Sequence, residues 1–181
     1  MRVGRAAPGI AFFAALLLCS TASAAVDVTM ADLRAAARSL GFLQNIAHNN
    51  GLTIGVVYAP GSAEGRSLAQ QTAERLRTLA GPRDTSLKAE IIAINDLANY
   101  PGQLDALFLL PGITGGAGGV MDVARRKRLL VMSNDPACLD QRFCMLMARD
   151  SGRAEIVLDS ALAQSAGITF SSIFAMMVKR R

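Results

Sequence analysis

Tryptophan is absent from this chain of 181 residues, histidine occurs once, tyrosine twice and cysteine three times. Each scarcity removes a class of function. The lone His48 leaves no His-rich set for zinc, and near the end of a helix beside Asn49 and Asn50 it reads as a capping or surface histidine rather than a catalyst. No G-x-S-x-G elbow, no C-x-x-C pair, no G-x-G-x-x-G and no G-x-x-x-x-G-K-[ST] occurs, so the local marks of hydrolases, thioredoxin-like proteins and nucleotide binders are missing. No basic cluster lies beside aromatic residues that could stack bases, which argues against nucleic acid. Internal repeats, low-complexity segments and linkers are also lacking. On these grounds the chain reads as a non-enzyme without a cofactor or metal.

What is present begins with "MRVGRAAPGIAFFAALLLCSTASA". Arg2 and Arg5 precede an apolar run from Ile10 to Leu18, and small residues end at Ala22-Ser23-Ala24. The layout predicts a secretory signal over 1–24, cut after Ala24. The run is shorter than the ~20 residues a membrane-spanning helix needs. Cleavage leaves 157 residues, enough for one domain over 25–181, with 17 basic against 14 acidic residues and a net charge of +3. "ARRKR" (124–128) and "KRR" (179–181) are expected as solvated helix ends.

The remaining pattern alternates between the helical and strand periods. A capped helix starts at Thr29 and Asp32, with Leu33, Ala36, Leu40, Leu43 and Ala47 on one face and a stop at Asn50-Gly51. A strand over 52–59 and a helix over 64–81 follow. Strands at 87–94, 105–112 and 129–134 are interleaved with a short stub near 95–103 and a helix after Gly119. Apolar runs this continuous suit strands buried on both faces. "DSGR" separates strands at 143–149 and 154–159, an antiparallel hairpin. A short helix capped by Gly167 and a terminal helix begun by Ser171 or Ser172 complete the chain. The expected fold is α/β: one open, largely parallel sheet flanked by helices, with the C-terminal hairpin at its edge and a terminal helix.

Few residues carry chemistry. Cys138 and Cys144 are the only cysteines left after the leader, with five residues between them, and an oxidising compartment favours a structural disulfide, with ordinary free thiols as the alternative. Gly115, Gly116, Gly118 and Gly119 form a loop between a strand and a helix, where backbone N–H groups can cradle an anion; close helix–strand packing explains the loop equally well. Asp135 before Pro136 suits a turn, and Asp140 falls between the cysteines. The Met-rich stretches "CMLMA" and "FAMMV" suit core packing or an adaptable binding surface.

Residues 129–181 resemble the C-terminal part of the YfiR/HmsC-like family of exported regulators. The matching residues are Asp135, Phe143 to Ala148, Asp150 to Gly152, Ile156 to Asp159, Ala161, Ala166 to Ile168, and Ser171 with Ser172. The resemblance implies a compact periplasmic α/β domain able to form a homodimer. It implies repression of an inner-membrane diguanylate cyclase, or a similar signalling protein, through that partner's periplasmic region, and so an influence on cyclic-di-GMP signalling and biofilm formation. Some members carry a disulfide aligned with Cys138 and Cys144, whereas a second pair found in relatives and a Trp-Pro ending of the first helix are missing here. Met147, Phe170 and Phe174 are the expected partner contacts. A small periplasmic solute-binding protein is the rival reading, although 157 residues are few for two lobes.

Overall fold

Thr29 opens the first helix through a reciprocal cap. Its hydroxyl accepts from Asp32 N–H at 3.1 Å, and the Asp32 carboxylate accepts from Thr29 N–H at 3.0 Å. Helix α1 (Met30–Leu40) follows in the computed structural model, which describes residues 27–44, 51–61, 63–113, 117–150 and 152–181. The expected leader and His48 lie outside the described residues. The apolar periodicity runs on past residue 40, yet the helix stops at the Gly41 cap. The chain is taken up there by another segment: Gln44 N–H donates to Thr169 C=O and Ser171 N–H to Phe42 C=O, both at 2.9 Å.

The remaining elements are β1 (Leu52–Tyr58), α2 (Ala63–Arg77), β2 (Leu87–Ala93), β3 (Ala106–Leu109), α3 (Ala117–Lys127) and β4 (Leu130–Ser133). Then come α4 (Pro136–Asp140), β5 (Leu146–Asp150), β6 (Ala154–Leu158), α5 (Ser160–Ser165), α6 (Ser172–Met177) and β7 (Lys179–Arg180). A 3-10 turn over Ile94–Asn99 fills the stub expected after β2. All seven strands form one sheet in the order β2-β1-β3-β4-β5-β6-β7. Every pairing is parallel except β5 with β6, which meet antiparallel with Ala148 opposite Ile156. The expected α/β class and the hairpin are both present.

Burial explains why the strand sequences differ. β3 and β4 are buried at every position, matching their unbroken apolar runs, whereas β2, with a strand on one side only, alternates buried and exposed residues along most of its length. Asp105 sets the β1–β3 register, its carboxylate accepting from Thr53 N–H at 2.7 Å while its own N–H donates to Thr53 C=O at 2.9 Å. α2 packs on β1 and β2 through Ala69, Thr72, Ala73 and Leu76. It ends at Arg77, short of Gly81, because the Thr78 hydroxyl turns back to Arg75 C=O at 2.7 Å and Pro82 follows. α1 packs on β5 and β6. The first five strands follow the doubly wound order whose ligand crevice lies beyond the carboxyl ends of β1 and β3.

The C-terminus departs from expectation. The hairpin does not end the sheet, and the last helix does not run to Arg181. α6 stops at Met177, and Lys179 and Arg180 add a seventh strand parallel to Val157 and Leu158, with Arg181 N–H donating to Leu158 C=O at 3.0 Å.

Candidate functional site

The cysteines are brought together by local geometry. Asp135 caps α4, its carboxylate accepting from Ala137 N–H at 3.0 Å, and Pro136 occupies the first turn, where a missing N–H costs nothing. After α4, Arg142 adopts a left-handed φ of 58°. Phe143 N–H then returns to Cys138 C=O at 2.8 Å and Arg142 N–H to Leu139 C=O at 3.0 Å, the two bonds of a Schellman closure. This turn delivers Cys144 to a Cα separation of 5.5 Å from Cys138, and the pair is disulfide-bonded and buried. For so small a loop the cross-link contributes about 2 kcal/mol by restricting the unfolded chain.

The Gly-rich segment is placed in part. Gly115 and Gly116 lie outside the described residues, and Gly118 and Gly119 fall in the exposed first turn of α3 with open space around them. Near the carboxyl ends of β3 and β4, a cavity of about 30 Å³ is bordered by Gly112, Ser133, Asp135 and Cys138. That is room for about one water molecule, not for a metabolite.

Two of the three expected contact residues, Met147 and Phe174, require correction. Met147 and Phe174 are buried in the core, and Phe170 is half-buried against it. Phe174 stacks between Phe42 and Phe170, with ring centroids 4.9 and 4.8 Å away, and so fixes α6 onto the end of α1. Side chains enclosed in this way cannot meet a partner without opening the fold. The surface of the same helix is instead presented by Ile173, Met176 and Met177, which are 60, 77 and 61% exposed. The "FAMMV" stretch therefore divides: its phenylalanine is core and its methionines are surface.

One polar junction escaped the sequence reading. Asp32 is buried at the start of α1 without a cationic partner among the described residues. Its carboxylate accepts from Thr29 N–H and Asn134 Nδ2 at 3.0 Å each and from Asp150 N–H at 2.6 Å. Asn134 also donates to Asp27 C=O at 2.8 Å. The junction thus ties α1 to the carboxyl ends of β4 and β5, and the helix N-terminus favours its negative charge. Thr29 and Asp32 were legible as a cap, but nothing near them in sequence points to residues 134 and 150.

Charge concentrates at the β6–β7 edge. Lys179 pairs with Glu155 at 2.5 Å and Arg181 with Asp140 at 2.7 Å, both in solvent. The Lys179 hydrogen bond and then its charge hold the Glu155 carboxyl below its ordinary value; desolvation opposes them, and the charge of Arg149 adds the least. Elsewhere burial, and secondarily the charge of Glu90, pushes the Tyr100 phenol up. Among the described residues no cluster of three or more His, Cys, Asp or Glu could hold a metal ion, and no helix is long and apolar enough to cross a membrane. No protein-family model and no curated protein matches the chain.

Proposed function

We propose that this protein is an exported regulatory module of the YfiR/HmsC kind. It binds the periplasmic sensor region of an inner-membrane diguanylate cyclase, holds the cyclase inactive, and so lowers cyclic-di-GMP output and biofilm formation. The resemblance of residues 129–181 supplies the partner class. The observation that carries the protein-contact reading is the apolar ridge of α6, where Ile173, Met176 and Met177 stand mostly in solvent. Adjacent exposed apolar side chains favour burial against another surface, and methionine adapts to the surface it meets. A single sheet with its grooves open at an edge suits a docking module better than a protein with two lobes closing over a solute.

Regulation by binding requires that the two states of the sensor be bound unequally. Each tenfold shift of its equilibrium takes about 1.4 kcal/mol of differential affinity. The test is cellular cyclic-di-GMP with and without the gene, alongside co-purification from membranes. Deletion should raise cyclic-di-GMP, the wild-type protein should bring down a cyclase, and Met176→Asp should restore neither repression nor capture. Unchanged cyclic-di-GMP with no membrane partner would refute the reading.

A further inference from the structure

The sheet's last edge is only half covered. β7 pairs with Val157 and Leu158 alone, so Ala154, Glu155 and Ile156 have no strand beside them on that side among the described residues. The ladder fixes which backbone groups face the gap. Asp159 N–H donates to Met145 C=O on the β5 side, and Leu158 C=O accepts from Arg181 N–H on the β7 side. Backbone groups alternate sides along a strand, so the peptide groups of Ala154 and Ile156 point the same way as those of Leu158. Ala154 thus offers a donor and an acceptor, and Ile156 its donor, to open space.

That space is a groove of about 440 Å³ bordered by Arg153, Ala154, Glu155, Ile156, Met177 and Lys179. Around the same edge, Ala154 and Ile156 also border a trough of about 310 Å³ against α1, where Arg34 and Arg38 stand. Four cations, Arg34, Arg38, Arg153 and Lys179, therefore border the two spaces. Only Asp150 and Glu155 oppose them, and Glu155 is already paired with Lys179.

We propose that this edge is a strand-addition slot that takes an extended acidic segment of a partner protein alongside Ala154–Ile156. The inference rests on the reading above for there being a partner protein, and on the sheet edge for how that partner is held. An added strand draws affinity from main-chain hydrogen bonds and selectivity from its alternate side chains. Three residues of edge span about 10 Å, enough for a short extended segment. Acidic side chains on one face of it meet Arg34 and Arg38, and apolar ones on the other meet Met177. Long open edges invite unwanted pairing, and β7 with its lysine narrows this one to a slot.

The test uses the ¹⁵N-labelled protein and a capped peptide of alternating glutamate and valine, with a lysine–valine peptide and a backbone N-methylated glutamate–valine peptide as controls. The acidic peptide should shift the amides of residues 153–156 and 177–179. Both controls should bind at least tenfold more weakly. Ala154→Pro removes an edge donor without touching the β5 pairing and should abolish the shifts, and Arg153→Glu should weaken binding at least threefold. Should the proline variant fail to fold, the N-methylated peptide still decides, because it keeps every side chain and loses only strand pairing. Equal binding of the N-methylated peptide, or shifts confined to other surfaces, would overturn the inference. So would a self-associating wild type whose dimer, abolished by Ala154→Pro, leaves no shift on peptide addition, since the occupant is then a second copy. A co-purified cyclase without slot binding refutes this inference alone, and slot binding without a cyclase supports it while refuting the cyclase reading.

Discussion

Replacing Asp32 with alanine should destabilise the protein by about 3 kcal/mol. The carboxylate accepts three hydrogen bonds, from Thr29 N–H, Asn134 Nδ2 and Asp150 N–H. Bonds to a charged acceptor contribute about 2 kcal/mol each, or about 6 kcal/mol together. Deleting the carboxylate also removes its own desolvation cost, which is several kcal/mol for a buried ion, and the difference is about 3 kcal/mol. The donors left behind do not recover equally. Thr29 and Asp150 N–H are only part-buried and regain some bonding to water. The Asn134 amide is fully enclosed, keeps its bond to Asp27 C=O, and has no partner for its Oδ1 among the described residues.

Urea unfolding reads this directly. With a slope of about 2 kcal/mol/M, the midpoint should fall by about 1.5 M in Asp32→Ala. Asp32→Asn retains the shape and one oxygen, and should lose about 1 M on the same slope. Asn134→Ala combined with Asp32→Ala should cost about 1 kcal/mol less than the two separately, because they share a bond. Amide exchange adds a positional check: Asp150 N–H should lose protection in Asp32→Ala, while amides in the middle of β3 lose only what the global stability loses. A midpoint shift below about 0.5 M would mean the junction is not what fastens α1 to the sheet.

Phe174→Ala should cost about 4 kcal/mol by emptying an aromatic stack, whereas Met176→Asp, two residues on, should change stability by no more than about 0.5 kcal/mol. Thermal unfolding of both variants tests the assignment of core and surface within α6. Peptide mapping without reductant should find Cys138 joined to Cys144, and the double alanine variant should lose about 2 kcal/mol relative to the oxidised protein. Arg142→Gly should raise stability by about 0.5–1 kcal/mol, since the left-handed conformation strains arginine and not glycine, and a lower urea midpoint would refute this. Because Glu155 titrates below its ordinary value of 4.5, its pairing with Lys179 stabilises the edge fully above that pH and fades as pH falls through the depressed value. Lys179→Ala should return Glu155 to the ordinary range in an NMR titration, and an unmoved titration would exclude the pairing.

The elements that sequence exposed are those whose cause is local. β1, β3 and β4 announce themselves because strands buried on both faces must be apolar throughout, and the Thr29–Asp32 cap because both partners lie in one turn. The disulfide belongs with them: Asp135, Pro136 and the turn at Arg142 lie within a few residues of each cysteine, although the five-residue helix they build went unread. β7 shows no such signal. Lys179 and Arg180 are charged and exposed, and they pair because backbone groups of β6 are vacant where α6 ends, a cause carried by another part of the chain.

The division of α6 into core and surface was the least legible part, for a related reason. Ile173, Phe174, Met176 and Met177 are all apolar, and a helix of six residues is too short for periodicity to say which side faces inward. The deciding partner of Phe174 is Phe42, at the far end of the sequence. Hydrophobicity marks a residue that gains by leaving water, whether into its own core or against a partner, and only the fold separates the two. Phe174 has its burial already, stacked on both sides, so opening it to bind would forfeit one contact to gain another. Met176 and Met177 have nothing of the kind to lose. The surface worth mutating is therefore the one whose apolar residues the fold has left in solvent, and it adjoins a stretch of β6 that has no strand on its outer side, as Met177 borders the groove at Ala154–Ile156.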